Sequence, residues 1–123
     1  MSQQPPGIPT VDVRETERRL REDARPPLVI DVREPDEHVG ARLEDGAVLM
    51  PMSSFAEHMQ ELPKDRPLLV LCASGNRSAA VTAHLLRNGW TDVANVAGGI
   101  TDWQKAGFPV RRGPVAPDEG APG

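Results

Sequence analysis

The sequence predicts an α/β protein: a small parallel sheet of about five strands with helices on both faces. Three observations lead there. Short apolar runs at Leu28–Val32, Leu68–Leu71 and Val93–Val96 lack the in–out alternation of a half-exposed strand, so each needs cover on both faces. The stretches between them carry caps, helical spacing and breakers. The only cysteine, Cys72, ends one apolar run and precedes a loop and a helix, the position at which open α/β sheets hold their ligands.

Taken in order, Thr10 can cap a helix from near Val11 that sets Val13, Thr16 or Glu17, and Leu20 on one side. Arg25-Pro-Pro breaks the polar stretch that follows. Leu28–Val32 is a buried strand. Glu34-Pro-Asp-Glu-His is one helical turn with Pro35 in an allowed first-turn position. Gly46–Met50 is a short strand stopped by Pro51, and Ser53 or Ser54 caps a helix running to about Leu62, before Pro63. Leu68–Leu71 is the next strand. Asn76–Asn88 is the next helix, closed by Gly89, with Ala79, Ala80, Ala83 and Leu86 facing the sheet. Val93–Val96 is the last strand, and Gly98-Gly99 opens a helix over Ile100–Ala106 ended by Gly107 and Pro109.

At 123 residues the chain fits one domain. Residues 1–7 and 113–123 are rich in proline, glycine and polar groups and read as flexible tails, leaving a folded domain over residues 8–112. Hydrophobic residues at 38%, with 11 glycines beside them, are an ordinary globular proportion. A net charge of −4 with scattered basic residues argues against nucleic acid or an anionic membrane as partner. One cysteine excludes an internal disulfide and a multi-cysteine zinc site, and no cofactor or metal is expected. The first residues lack the basic and apolar regions of a secretory signal, and no apolar run is long enough to span a bilayer. A monomer in a reducing cytoplasm, where a lone thiol survives as a reagent, is the expectation.

Cys72 is followed by Ala73, Ser74, Gly75, Asn76, Arg77 and Ser78, none of them proline. Every N–H of that loop is therefore free to converge on a common centre, and Gly75 supplies the positive φ that a tight cradle needs. A helix N-terminus and the Arg77 guanidinium both favour a thiolate, the nucleophilic form of cysteine. The alternative is a small buried hydrophobe at a strand end; the loop and helix around Cys72 favour a reactive thiol that handles an anion. Ser74 and Ser78 can donate to the sulfur, and Ser78 can equally brace the helix start.

Three separated segments resemble the rhodanese-like domain family of sulfurtransferases. Ile30-Asp-Val-Arg-Glu-Pro-Asp-Glu is similar to the family's D-x-R-E-P motif. Cys72-Ala-Ser-Gly-Asn-Arg-Ser78 is similar to the active-site loop of its single-domain members. Val96-Ala-Gly-Gly-Ile-Thr-Asp-Trp-Gln-Lys-Ala-Gly-Phe-Pro-Val110 is similar to the closing G-G-x-x-x-W-x-x-x-G-x-P-V. The resemblance spans about Ile8 to Val110. It implies transfer of sulfane sulfur from a small anionic donor such as thiosulfate, through a Cys72 persulfide, to a thiol, a protein or cyanide, with Arg77 steering the donor. One segment departs from the pattern. Gly40-Ala-Arg-Leu-Glu-Asp-Gly-Ala47 stands where the family has G-H-I-P-G-A, near the site rim, and bears on substrate and partner preference.

Two other functions use the same loop. Phosphatases and arsenate reductases of related fold place five residues between cysteine and arginine; here four lie between Cys72 and Arg77, a tighter cradle suited to one sulfur. Non-catalytic modules of the family commonly lose the cysteine that this chain keeps. Asp31 reads as a structural brace, and Arg33 as either a brace or a pocket-shaping donor at the substrate site. No histidine is assigned as a base: His84 lies about 10 Å along its helix from Arg77, His38 could approach the rim, and His58 reads as solvent-facing. Trp90 and Trp103 read as packing residues.

Overall fold

A computed structural model of the chain describes residues 7–44, 46–117 and 119. Five strands form one parallel sheet: β1 (Thr10–Val11), β2 (Leu28–Asp31), β4 (Val48–Leu49), β5 (Leu68–Leu71) and β6 (Val93–Val96), in the order β1-β6-β5-β2-β4. Five helices accompany them: α1 (Val13–Glu22), α2 (Pro35–Gly40), α3 (Phe55–His58), α4 (Asn76–Arg87) and α5 (Gly99–Lys105). This is the predicted α/β architecture with a five-stranded sheet. A feature the sequence reading did not contain is a second, two-residue antiparallel pair, β3 (Arg42–Leu43) with β7 (Val110–Arg111).

The strands alternate their side chains between two cores, as a period of two requires. Leu28, Ile30, Leu68 and Val70 join Phe55, Val81, Leu85 and Trp90 on one face. Val29, Leu69 and Leu71 join Val13, Ile100 and Trp103 on the other. Both tryptophans are buried, and each satisfies its indole N–H on a carbonyl, Trp90 on Pro63 at 3.1 Å and Trp103 on Pro109 at 2.9 Å.

Several local expectations change. Thr10 lies in β1, paired with β6 as Thr10↔Asn95, and the cap of α1 is Asp12, whose carboxylate accepts from the Glu15 N–H at 2.8 Å. The segment after Pro51 is not one serine-capped helix: it runs as a 3-10 turn, α3 and a second 3-10 turn. Ser54 stands at the N-cap of α3 as one of the two expected serines, but its side chain makes no capping hydrogen bond, and the Ser53 hydroxyl donates to Glu34 at 2.9 Å. Helix α4 buries Ser78, Ala79, Val81, Thr82 and Leu85, so its inward face is rotated from the alanine stripe expected, and Ala80 is exposed. Ser78 must face the thiol at the strand end, and residues three, four and seven further on follow it round the helix.

The expected tails fall partly on residues 1–6, 118 and 120–123, which lie outside the described ones. Of the described residues in the second tail, Gly113, Pro114 and Glu119 bond to the folded body. The Gly113 N–H donates to Val39 O at 2.9 Å, and the buried Arg42 guanidinium donates to the carbonyls of Gly113 and Pro114 and pairs with Glu119. Arg42 belongs to the segment that departs from the family pattern; of that segment, Asp45 is not among the described residues.

The sheet turns its strand order at the site. From β2 the chain moves outward to β4, then returns to the other side of β2 for β5. The connections leaving β2 and β5 therefore diverge, opening a crevice at their carboxyl ends. Asp31 and Leu71 are register partners there, so the ends of two distant sequence motifs become neighbours. The third motif closes the crevice from below. Gly98 and Gly99 both take positive φ (79° and 55°), which lets the first turn of α5 press against the Cys72 loop: Ile100 N–H donates to Cys72 O and Thr101 N–H to Ala73 O, each at 3.0 Å.

A Cβ on Gly99 would sit 2.2 Å from Cys72 O, whereas one on Gly107, also at positive φ, would meet nothing within 4 Å. Gly107→Ala should cost about 1 kcal/mol, the backbone strain alone, and Gly99→Ala about 3 kcal/mol or more, strain plus a backbone clash. Urea unfolding of the two variants measures this, and equal costs would contradict the close contact.

Candidate active site

Cys72 follows β5 and is buried, with 1% of its surface exposed. Its sulfur sits inside the loop that the sequence singled out. The Gly75 N–H approaches Sγ at 3.1 Å, and the Ser78 hydroxyl at 3.2 Å. Burial is the largest single influence on this thiol and opposes its ionisation. The Ser78 hydroxyl and the N–H groups of Ser78, Gly75 and Ser74 together outweigh it, so the pKa falls below that of a free thiol.

The peptide orientation has a cause in α5. The carbonyls of Cys72 and Ala73 point at the N–H groups of Ile100 and Thr101. A trans peptide directs its N–H opposite its carbonyl, so anchoring the Ala73 carbonyl turns the Ser74 N–H toward the sulfur. Gly75, at φ 105°, turns the chain into α4, and a Cβ there would come within 3.3 Å of Gly98 N.

Asn95 is a residue the sequence reading missed. It is fully buried in β6, and its amide donates to Gly75 O at 3.3 Å. It therefore holds the residue whose N–H reaches the sulfur. The available signal was a lone polar residue in the apolar run Val93–Val96, since a buried amide needs a partner.

Asp31 and Arg33 form the floor beside the loop. Asp31 is fully buried, and its carboxylate accepts from Arg33 Nε at 2.9 Å and Nη2 at 2.7 Å. His38 Nδ1 lies 2.7 Å from the same carboxylate. Burial is the largest influence on Asp31 and would raise its pKa; His38 and Arg33 reverse that and hold it below the ordinary carboxylate range. Arg33 also donates to the carbonyls of Glu37 and Ala41, so its guanidinium is engaged on every nitrogen. The structure thus places Arg33 as a brace of α2, with Asp31, and not as an open donor. His38, on the buried side of α2, turns its ring to Asp31 rather than to the rim, with 2% of its surface exposed.

Arg77 does not point its fork at the thiol. Nη1 and Nη2 pair with the two carboxylate oxygens of Glu37 at 2.8 and 2.9 Å. The Arg77 bond pulls the Glu37 carboxyl down to about 2, and Glu37 raises Arg77 in return. Ser74 and Asn76 are exposed at the loop surface and Ala73 is half-buried. His58 is bonded to Glu61 on the surface.

The geometry is that of a buried thiol whose sulfur is ringed by hydrogen-bond donors that favour its ionised, nucleophilic form. Comparisons with known proteins agree with it. The rhodanese-like domain family model matches residues 12–106. A sulfurtransferase of Allochromatium vinosum is 35% identical over 108 residues, covering 88% of this chain and 95% of its own. A thiosulfate sulfurtransferase GlpE of Pseudomonas syringae pv. syringae is 33% identical, over 73% of this chain and 82% of its own. The crystal structure of a rhodanese-related protein from Thermoplasma volcanium superposes with a TM-score of 0.75 at 30% identity, covering 84% of this chain and 97% of its own. No described helix is long and apolar enough to cross a membrane.

Three outcomes are expected. Because the loop donors favour the ionised thiol, alkylation of Cys72 by iodoacetamide should rise through a lower pH midpoint in the folded protein than in the urea-unfolded chain. Ser78→Ala removes a donor to the thiolate and should move that midpoint upward; an unmoved midpoint would deny Ser78 its part. Asp31→Ala leaves Arg33 and His38 buried without their carboxylate and should cost about 3 to 5 kcal/mol in denaturant unfolding.

Proposed function

We propose that this chain, which belongs to the rhodanese-like domain family, transfers sulfane sulfur from thiosulfate or a similar small anion through a persulfide on Cys72. The observation that carries this reading is the lone Cys72 sulfur held between the Gly75 N–H and the Ser78 hydroxyl at 3.1 and 3.2 Å. In the first half-reaction the Cys72 thiolate attacks the outer sulfur of thiosulfate. A sulfur–sulfur bond forms to Cys72, the bond to the sulfonyl sulfur breaks, and sulfite leaves with the electron pair. In the second, cyanide or a thiolate attacks the outer sulfur of the persulfide and the Cys72 thiolate departs.

Both half-reactions keep a negative charge on sulfur inside the loop. Donors fixed in place before reaction stabilise that charge without reorganising, as an oxyanion hole does for oxygen. Ala73, Ser74, Gly75, Asn76 and Ser78 form the cradle, Arg77 receives the anionic end of the donor, and Asp31 and Arg33 support the wall behind them. The chain has one cysteine, so no internal thiol resolves the persulfide and an outside acceptor must take the sulfur. A reducing cytoplasm keeps such a lone thiol available, and a monomer suffices for the chemistry.

Cyanolysis is the test. Thiosulfate-treated protein should gain the mass of one sulfur on Cys72 and release thiocyanate on adding cyanide. Cys72→Ser should lose all turnover while unfolding at the wild-type denaturant concentration. Arg77→Ala should weaken use of thiosulfate more than it weakens discharge of a preloaded persulfide. No thiocyanate from protein with reduced, accessible Cys72 would overturn sulfur transfer, and equal loss in both half-reactions would remove Arg77 from donor binding.

A further inference from the structure

We infer that Glu37 sets the site's preference among donors by occupying the Arg77 fork that an anionic donor must win. The inference rests on the sulfur-transfer reading for its substrate class and on the geometry for its mechanism. Both terminal nitrogens of Arg77 are spent on the Glu37 carboxylate, at 2.8 and 2.9 Å. A carboxylate presents two oxygens to a guanidinium in the same planar arrangement as the oxygens of a small oxyanion. Glu37 is therefore a resident competitor for the group that would receive the donor.

Its position is imposed from outside the loop. Glu37 stands in the first turn of α2, and its Oε1 also accepts the Glu34 N–H at 3.1 Å, closing the helix cap. The buried Asp31–Arg33–His38 cluster holds the same helix from below, Arg33 donating to the Glu37 carbonyl at 3.2 Å. The carboxylate thus waits in a fixed place. The pair itself is reachable: about a third of each side chain is exposed, 35% for Arg77 and 32% for Glu37. An ion pair exposed to that degree is a modest barrier, one a solute anion can displace. With its carboxyl held near a pKa of about 2, Glu37 keeps its charge at any working pH, and protonation does not release the arginine. Free dianions meet a neutralised fork, so the site discriminates against weakly bound anions and favours a donor whose remaining contacts can pull Arg77 away.

Glu37→Gln tests this, because the glutamine oxygen can still accept the Glu34 N–H while the neutral amide no longer neutralises the arginine or fills both positions of its fork. Cys72 is alkylated with iodoacetate and, separately, with neutral iodoacetamide, and the ratio of the two rates is compared among variants. The ratio should rise about two- to fivefold in Glu37→Gln, the range such a pair supports. It should rise less in Glu37→Asp, which keeps the charge on a shorter arm. Asp36→Asn removes a charge from the exposed neighbour on the same turn and should leave the ratio near wild type. KM for thiosulfate should fall by the Glu37→Gln factor with the cyanide half-reaction unchanged. An unchanged ratio in Glu37→Gln, or an equal rise in Asp36→Asn, would overturn the inference. Wild-type protein that releases no thiocyanate would remove sulfur transfer alone, since the alkylation ratios still decide the role of Glu37.

Discussion

Two carbonyls, those of Cys72 and Ala73, point into the first turn of α5, and the site depends on that contact. Ile100 and Thr101 supply the donors, at 3.0 Å each, and Gly99 supplies the space. Any side chain at Gly99 would hold the two turns apart. With the carbonyls committed to α5, the peptide N–H groups of the loop face the sulfur, and the charge that favours the thiolate comes from the backbone and Ser78. The same contact ties the sequence's second and third motifs together.

Charge around the loop is paired at every level beneath it. Asp31 balances Arg33 in the floor, with His38 hydrogen-bonded to the same carboxylate, and Glu37 balances Arg77 at the rim. The two layers are joined by α2, whose backbone carbonyls Arg33 holds and whose first turn carries Glu37. Buried ion clusters of this kind add little net stability against an apolar alternative, yet breaking one partner is costly. They serve geometry: a short helix with little apolar surface of its own is fixed beside a reactive group.

Much of this was legible in the sequence where the signal is local. Leu68–Leu71 and Val93–Val96 are strands over the expected residues because continuous apolar runs between breakers leave few alternatives. The loop was legible through Cys72, Gly75 and the helix that follows, and the sheet order agrees with a ligand site at a strand end. What escaped reading depends on partners far along the chain. Arg77 pairs with Glu37 forty positions away, and Arg42 with Glu119 seventy-seven away; neither spacing has a periodicity to reveal it. Thr10 and Asp12 are both competent caps, and the pairing of Thr10 with Asn95 decided between them. The face of α4 was misjudged for a related reason: alanines mark a packing face only when nothing else constrains rotation, and Ser78 does.

The sheet's outer strands carry a consequence of their own. β1 and β4, the two edges, are each two residues long, and the antiparallel pair formed by β3 and β7 is no longer. An unpaired edge is a template on which another chain can add a strand, and a long flat one invites fibres and precipitation. Here the longer, mainly apolar strands are all interior, and the described edges offer only a few free peptide groups. A protein that keeps a nucleophilic sulfur in crowded surroundings is thereby guarded against sticking to copies of itself by strand addition.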